Sequence, residues 1–304
     1  MTIGIPRSLL YHQYGSLWES FFTELGCEIV LSSVTNEAIF KSGAKDSISE
    51  CCLPSKVHMG HIRSLLGSCD YILSPYAERK SGGDTICTRF WGMGDVIQHT
   101  YSDAPLLEFA ICEGDDKAQY KGFYRMGKKL GKNSAQVQRA YEYAISQQSR
   151  RYKDKYSEQA RILTSKKLKI LLTGRPYVLH DPYICGSVTN ILSELGVSVL
   201  YCDRFLRDDV LHRSIDISPR LCWNANREAI GAIAEYKDYV DGVLMLTVFP
   251  CASDALACDM AARTINDVPI ALILLDGLQA EAGLHTRLES FIDIISERKS
   301  RNEQ

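Results

Sequence analysis

The sequence predicts an α/β protein made of two Rossmann- or flavodoxin-like domains with parallel sheets, linked by a polar helical segment. The chain has 304 residues, about twice the length of a typical single domain. Continuous apolar runs alternate with segments of helical period, the pattern of a parallel sheet covered on both faces. A charged stretch without apolar runs separates two such series. We therefore predict an N-terminal domain with its connecting helix at residues 1–160 and a C-terminal domain at 161–304.

The C-terminal half shows the alternation most clearly. Strands are predicted at residues 167–174, 197–203, 240–249 and 269–277. Helices are predicted at 187–196, 226–236, 253–265 and 284–299. Gly196 stands where a glycine commonly ends a helix, and Ser253 or Asp254 suits the N-cap of the third helix. Four strand–helix units of this kind predict a Rossmann-like domain.

The N-terminal half follows the same order less regularly. Strands are predicted at residues 2–7, 27–33, 70–75 and 104–112. Helices are predicted at 9–26, from Pro54 to about Leu66, and at 94–101; proline is tolerated in the first turn of a helix. The shared order predicts a structural repeat, although no clear sequence repeat is visible. Residues 117–167 are predicted to form one or two polar, solvated connecting helices.

Composition excludes several classes of function. The formal net charge of −2 argues against a nucleic-acid partner. No apolar run approaches the roughly 20 residues needed to cross a bilayer, so no membrane partner is expected. The first residues, "MTIGIPRSLLYHQYG", lack the basic region and apolar stretch of a secretory signal. We expect a cytoplasmic protein.

Cysteine usage is the strongest functional signal. There are 11 cysteines, and in a reducing compartment they are more often buried residues, metal ligands or reactive groups than disulfides. Cys52, Cys87 and Cys251 each stand at a turn or at the start of a predicted helix. Ligands bind at the carboxyl ends of parallel strands, and helix N-termini favour thiolates. The spacing resembles no zinc-ribbon or ferredoxin motif, so packing of each cysteine as a small apolar residue stays open.

Two further segments hold candidate catalytic residues. Arg175, in "TGRPYVLHDP", follows the first strand of the second domain and suits a phosphate or carboxylate partner, or a bracing contact. In the same segment His180 and Asp181 suit proton transfer or a loop contact. Lys56 and His58 lie on the helix that begins at Pro54, where they suit either a bound ligand or a solvated helix face.

Two other pairs favour structural roles. His58 and His61, in "HMGH", lack the acidic partner that a zinc motif would carry. Arg287 and Glu289, near the C-terminus, are predicted to form an ion pair against the edge of the sheet.

A series of motifs resembles one protein family, in the expected order and over nearly the whole chain, from Ile3 to about Ile295. The motifs are "IGIPRSLLYHQYGSLWESFFTELGCEIVLSS", "CCLPSKVHMGHI", "DYILSP", "ICTRFWGMGD", "LLTGRPYVLHDP", "FPCASDALACD" and "GLHTRLESFID". They resemble the CoA-substrate-specific enzyme activases, or acyl-CoA dehydratase activase-related proteins, relatives of the 2-hydroxyacyl-CoA dehydratase iron–sulfur subunits.

This resemblance implies an iron–sulfur cofactor. The thiolates of Cys52, Cys87 and Cys251 would hold an oxygen-sensitive [4Fe–4S] cluster in a cleft between the domains, with one iron open to a substrate oxygen, water or another small ligand. Some relatives carry a double-cubane [8Fe–9S] cluster instead, which needs more thiolates. Cys51, Cys185 and Cys222 are the spare candidates, although each also suits packing in the core or at a turn.

The resemblance also implies partners. Longer relatives fuse this module to an ATPase of actin-like fold, and no glycine-rich phosphate loop occurs here. A separate ATPase activator of that fold is therefore expected as electron donor. A small molecule, with an acyl-CoA among the candidates, is expected in the cleft, and the relatives suggest a homodimer.

Three classes of function are considered. The first two require the iron–sulfur cluster, and the third does not. The first is low-potential electron transfer or reduction of a small ligand at the open iron. The second is a non-catalytic cluster carrier or regulatory partner of the ATPase activator. The third is a metal-free α/β protein that binds a small ligand. Whether the protein is itself an enzyme is left open.

Overall fold

The computed structural model describes residues 1–77, 86–111, 115–277 and 281–302. The chain divides into two compact units, Met1–Arg151 and Tyr152–Gln304. This boundary and the predicted one, after residue 160, both fall within a single long helix. Each unit is described by itself below.

The first unit contains a sheet of four parallel strands in the order β2-β1-β3-β4. The strands are β1 (Thr2–Ile5), β2 (Glu28–Leu31), β3 (Tyr71–Ala77) and β4 (Leu106–Ile111). The helices are α1 (Tyr11–Glu24), α2 (Glu37–Lys45), α3 (Leu53–Leu65), α4 (Arg89–Thr100), α5 (Asp116–Lys129) and α6 (Ser134–Leu163). All four predicted strands are present; the last residue of the fourth prediction, Cys112, lies outside the described residues.

The second unit contains four parallel strands in the order β6-β5-β7-β8. They are β5 (Lys169–Thr173), β6 (Ser198–Tyr201), β7 (Gly242–Val248) and β8 (Ile270–Leu275). The helices are α7 (Pro176–Leu179), α8 (Pro182–Glu194), α9 (Arg207–Arg213), α10 (Asn224–Tyr236), α11 (Ala252–Thr264) and α12 (Glu281–Asn302). Short 3-10 turns occupy 202–204, 214–216 and 237–239. The predicted fold class, α/β with two parallel sheets, is confirmed.

The two units repeat the same topology and some of the same local structure. In each, the second strand in sequence lies at the edge and the first and third are central neighbours. Helices α1 and α8 both end at the glutamate of the same tripeptide, Glu-Leu-Gly, and Gly26 and Gly196 both have φ +72°. A residue with a side chain would be strained there, so glycine ends both helices.

A close helix pair recurs as well. Gly60 is the eighth residue of α3, and a side chain there would overlap the carbonyl of Ile39 in α2. Gly231 is the eighth residue of α10, and a side chain there would overlap the carbonyl of Val210 in α9. Glycine therefore permits the same close helix approach in both units. The predicted structural repeat is present, and α2 and α9 are helices that the sequence interpretation missed.

The connecting helix α6 differs from its prediction as a solvated segment. Near its start, Val137, Ala140 and Ala144 are buried in the hydrophobic core of the first unit. Near its end, Gln159 is buried, and its amide donates to the carbonyl of Tyr201 at 3.0 Å and accepts from the N–H of Tyr201 at 2.5 Å. Polar composition thus concealed two packed ends. At the first end a narrow stripe of small apolar residues suffices to bury one helix face. At the second end a polar side chain is buried because its amide group is hydrogen-bonded.

Aromatic residues form the centre of the first unit's core. Phe21 packs edge-on against Phe123 with centroids 4.7 Å apart, and Trp18 packs edge-on against Phe109 at 5.9 Å. Contacts of this geometry fix α1 and α5 against the sheet. None of the helices in the described ranges combines the length with the apolar character that crossing a membrane requires.

Candidate functional site

The carboxyl ends of the central strands are the places where an open parallel sheet forms a ligand crevice. The strand order places that point between β1 and β3 in the first unit and between β5 and β7 in the second. Arg175 follows β5 after one residue, and Cys251 follows β7 after Phe249 and Pro250, which are joined by a cis peptide bond. Two predicted site residues of the second unit therefore come from neighbouring central strands.

Cys52 is the N-cap residue of α3, which has Pro54 in its first turn. Its carbonyl accepts hydrogen bonds from the N–H groups of Ser55 at 3.0 Å and Lys56 at 3.1 Å. Its Sγ lies 3.2 Å from Oγ of Ser55, whose side chain is buried. The half-buried thiol at this helix start therefore has a hydroxyl within hydrogen-bond reach.

Cys87 lies two residues before the first residue of α4. It is half-buried, and its carbonyl accepts from the N–H of Phe90 at 2.9 Å, which begins the helical hydrogen-bond pattern. The helix begins five residues earlier than the predicted start at residue 94, so Cys87 lies at the helix start and not in a long loop ahead of it.

Cys251 is the N-cap residue of α11, so the predicted cap at Ser253 or Asp254 is wrong by two or three residues. Burial raises the pKa of the Cys251 thiol, and Asp254 raises it further, while Arg175 acts in the opposite direction. Its Sγ lies 3.6 Å from Oγ of Ser253. The thiol is therefore half-buried, protonated at neutral pH, and next to a cation that favours its ionised form.

The three spare candidates among the described cysteines differ from one another in burial and position. Burial raises the pKa of Cys185 to about 12, as expected for a thiol in an apolar core. Cys51 is also buried. Cys222 is half-buried and lies two residues before α10. Of the three spare thiols, Cys222 alone has the setting of the predicted ligands, whereas Cys51 and Cys185 pack in the interior.

Arg175 is at the centre of a buried polar network. Its Nε donates to Asp254 Oδ1 at 2.7 Å, and its Nη2 donates to Asn226 Oδ1 at 2.8 Å and to Ser253 Oγ at 2.9 Å. Burial alone would lower the pKa of Arg175, but nearby acidic groups, Asp254 among them, raise it well above the ordinary value. The guanidinium is thus charged and bound to a carboxylate of its own chain. It holds the first turn of α11 in place beside Cys251.

The histidines of "HMGH" face inward. His58 is buried, and its Nδ1 is hydrogen-bonded to Ser8 Oγ at 2.8 Å. Burial, with a smaller contribution from His61, lowers its pKa to about 3. His61 bonds Ser32 and Thr35 through its two ring nitrogens. The interpretation of His58 as part of a solvated face is wrong, because its side chain is buried and hydrogen-bonded to Ser8.

Lys56, on the same helix, is half-buried, and its Nζ donates to the carbonyl of Ser49 at 2.9 Å. The roles predicted for Lys56, His58 and Arg175 in catalysis stay predictions.

Two sequence pairings are replaced by other partners. Asp181 caps α8 by accepting from the N–H groups of Tyr183 and Ile184, and His180 bonds Asp203 at 2.7 Å instead. Arg287 donates to the carbonyl of Leu272 in edge strand β8, at 2.9 Å. The predicted contact of Arg287 with the sheet edge is present, but its ion pair with Glu289 is wrong, since Glu289 pairs with His285 one turn away.

The chemistry of the predicted ligands fits a thiolate-held cluster, since all three are outside disulfides, half-buried and at helix starts. Within the described ranges no group of three or more His, Cys, Asp or Glu side chains is placed to hold a metal ion. Cys52 and Cys87 belong to the first unit and Cys251 to the second. The iron–sulfur cluster therefore stays a prediction.

Comparison with protein families matches residues 2–205 to the family described as the CoA enzyme activase uncharacterised domain (DUF2229). The match covers more than half of the 304 residues. The chain belongs to this family. Comparison with curated proteins gave no match.

The match to the CoA enzyme activase domain covers the first unit and continues through β5 and β6. Cys52, Cys87 and Arg175 lie inside the matched range, and Cys251 lies beyond it.

Sequence interpretation missed the partners of these residues. Asp254, Asn226 and Ser8 gave no motif, because each becomes a partner only through contacts across 28 to 79 positions of sequence. Asp254 could have been proposed as a site residue from the sequence, because it lies three residues after Cys251, at the start of a helix that follows a predicted strand.

Proposed function

We propose that this member of the CoA enzyme activase family is an iron–sulfur protein that transfers low-potential electrons in the activation of a CoA-linked enzyme. Cys52, Cys87 and Cys251 would hold a [4Fe–4S] cluster. The observation that carries the proposal is the setting of these thiols. Together with Cys222, they are the described cysteines that combine half-burial with a position at the start of a helix.

A cluster bound by three thiolates supplies single-electron transfer and one iron position for a small ligand. The residues of the chain would prepare the ligands. The Ser55 hydroxyl lies in hydrogen-bond reach of Cys52, and the Arg175 cation favours ionised Cys251. Because burial raises the pKa of Cys251, metal binding there would release a proton.

A double-cubane [8Fe–9S] cluster is less well supported than the single cluster. It would draw on more thiolates, and of the spare candidates only Cys222 has a suitable setting among the described cysteines. Cys51 and Cys185 are buried.

The family description names activation of CoA enzymes, which supports a partner protein. We propose a separate ATPase activator of actin-like fold as electron donor, and a small molecule, an acyl-CoA among the candidates, as ligand. Reduction of a trial acyl-CoA by the reduced protein would distinguish an enzyme component from a carrier.

The test is iron and acid-labile sulfide content after strictly anaerobic purification and reconstitution, with visible absorption recorded on the same samples. Wild type is compared with Cys52→Ala, Cys87→Ala, Cys251→Ala and Cys222→Ala. Cys69→Ala is the matched control, since Cys69 is half-buried but lies after the end of α3.

Four irons per chain, lost in the first three variants and retained in Cys69→Ala, would support the proposal. Eight irons, with loss also in Cys222→Ala, would replace the single cluster with the double cubane. Absence of iron, or iron unchanged in all of the variants, would refute the assignment.

A further inference from the structure

A cavity of about 480 Å³ lies within the first unit, beside the starts of α3 and α4. It is bounded by α3, α4 and the segment between α2 and α3. This volume lies within the roughly 300–1,000 Å³ typical of small-molecule sites. The proposed cluster ligands are not among the residues that line it, so the cavity raises a separate question.

The walls of the cavity are divided by chemistry. Apolar side chains supply one part, namely Ile48, Met59, Met93 and Val96. Polar groups supply the other part. Three of them stand at helix starts: Ser55 is the third residue of α3, Thr88 is the N-cap of α4, and Arg89 is its first residue. Asp46 and Ser47 follow α2, and Thr100 ends α4. A ligand with one polar end and one aliphatic end matches this division.

Arg89 supplies the charge. It is half-buried, and its contact among the described residues is a long hydrogen bond from Nη1 to Cys51 Sγ, at 3.6 Å. A thiol sulfur is a weak acceptor, so the guanidinium keeps most of its donors for another group. By contrast, Arg63 pairs with Asp46 and Arg175 with Asp254.

The acid at the cavity rim does not neutralise Arg89. Asp46 Oδ2 accepts from Arg63 Nη1 and from the Tyr101 hydroxyl, each at 2.5 Å. Burial would raise the pKa of Asp46, but these hydrogen bonds and the charge of Arg63 hold it below the ordinary value. Asp46 is therefore ionised and already has its own cation. The charge on Arg89 remains available, and it favours an anion.

We propose that this cavity binds a small aliphatic carboxylate. The carboxylate accepts hydrogen bonds from Arg89, with the hydroxyls of Ser55 and Thr88 nearby, because a guanidinium and a carboxylate match in geometry and charge. The aliphatic chain packs among Met59, Met93 and Val96, and the flexible side chains of the two methionines adapt to chains of different length. The site requires no iron, although its Ser55 hydroxyl also lies 3.2 Å from Sγ of Cys52.

Gly92 of α4 offers a way to close the cavity without disturbing the fold. It lines the cavity, and a side chain added there would meet no atom within 4 Å at its first carbon. Gly186 of α8 is a matched control, because it is a half-buried helical glycine with the same open surroundings in the other unit.

The test is isothermal titration of the full chain with acetate, butanoate, hexanoate and octanoate, with 1-hexanol as the neutral probe. Wild type should bind hexanoate at least tenfold more tightly than hexanol. Affinity should rise by a factor of about four for each methylene that enters the cavity. Arg89→Met should abolish the preference for hexanoate, while Arg150→Met, an exposed arginine on α6, should retain it.

Gly92→Leu should lose hexanoate binding, and Gly186→Leu should keep it. Circular dichroism and thermal melting establish that each variant is folded, and Gly92→Val replaces Gly92→Leu if the larger side chain prevents folding. Failure of wild type to bind hexanoate, equal binding of hexanol, or undiminished binding in folded Gly92→Leu would overturn the proposal. Iron content measured on the same samples keeps this result separate from the outcome for the cluster.

Discussion

Arg175 and Asp254 form an ion pair in which Nε and Oδ1 are 2.7 Å apart and both side chains are about 5% exposed. The pair joins the second residue after β5 to the first turn of α11, next to Cys251. Two charges in such a place are costly to bury, and mutual pairing with additional hydrogen bonds makes the arrangement stable. The pair is thus a structural support for the second unit's site.

Removing one partner should destabilise the protein strongly. Asp254→Leu leaves a buried guanidinium without its carboxylate and should lower the free energy of unfolding by about 3–5 kcal/mol. Urea denaturation followed by circular dichroism measures the change. The control is Asp259→Leu, in an exposed pair with Arg263, which should change stability by about 0.5 kcal/mol or less. Equal effects of the two substitutions would contradict the role given to the buried pair.

Burial of His58 predicts a loss of stability in acid. Its pKa is about 3 in the folded protein and about 6.5 in an unfolded chain, so below pH 6.5 the unfolded state binds the additional proton. The free energy of unfolding should fall by about 2 kcal/mol between pH 7 and pH 5 from this group, and further as pH approaches 3.

Denaturant titrations of wild type and His58→Gln across this pH range measure the contribution, since glutamine does not titrate. His58→Gln should show the smaller loss, and the exposed His212→Gln should behave as wild type. The prediction fails if His58→Gln and wild type lose stability in parallel.

The close approach of α9 and α10 predicts opposite effects for two glycine substitutions. Gly231→Ala places a methyl group against the carbonyl of Val210 and should cost about 1–3 kcal/mol through displacement of the helix pair. Gly186→Ala has open space and should stabilise α8 by up to about 1 kcal/mol. Thermal melting of both variants measures the two effects. Stabilisation by both substitutions would contradict the prediction, because it would show that α9 and α10 separate easily.

Gln159 should contribute to the stability of the fold through its two hydrogen bonds to Tyr201, although most of the residues around it on α6 are polar. Gln159→Leu leaves the N–H and carbonyl of Tyr201 in edge strand β6 without these hydrogen bonds, at a cost of about 1–3 kcal/mol. Gln138→Leu, an exposed position on the same helix, should have little effect. Hydrogen exchange at the Tyr201 amide gives a local measurement, and unchanged protection in Gln159→Leu would count against the contact.

Local sequence signals predicted most of the fold. The eight strands were found because each is a continuous apolar run bounded by turn residues. Helix α2 was missed because residues 37–45 have a short polar pattern, and its strongest signal was a single residue, Asn36, whose side chain accepts from the N–H of Ile39. The packed ends of α6 were missed because composition averages over helix faces, while burial depends on one face.

The sequence by itself determined two parallel α/β units and the placement of Cys52 and Cys251 at or next to helix starts, because apolar runs, helix caps and turn residues act over a few neighbouring positions. Only the tertiary structure decided which charges find partners. Arg175 obtains a carboxylate 79 residues away, Arg89 obtains none among the described residues, and His58 is buried beside Ser8. Such pairings depend on which elements the sheet order brings together, and the strength of each charge depends on the burial that results.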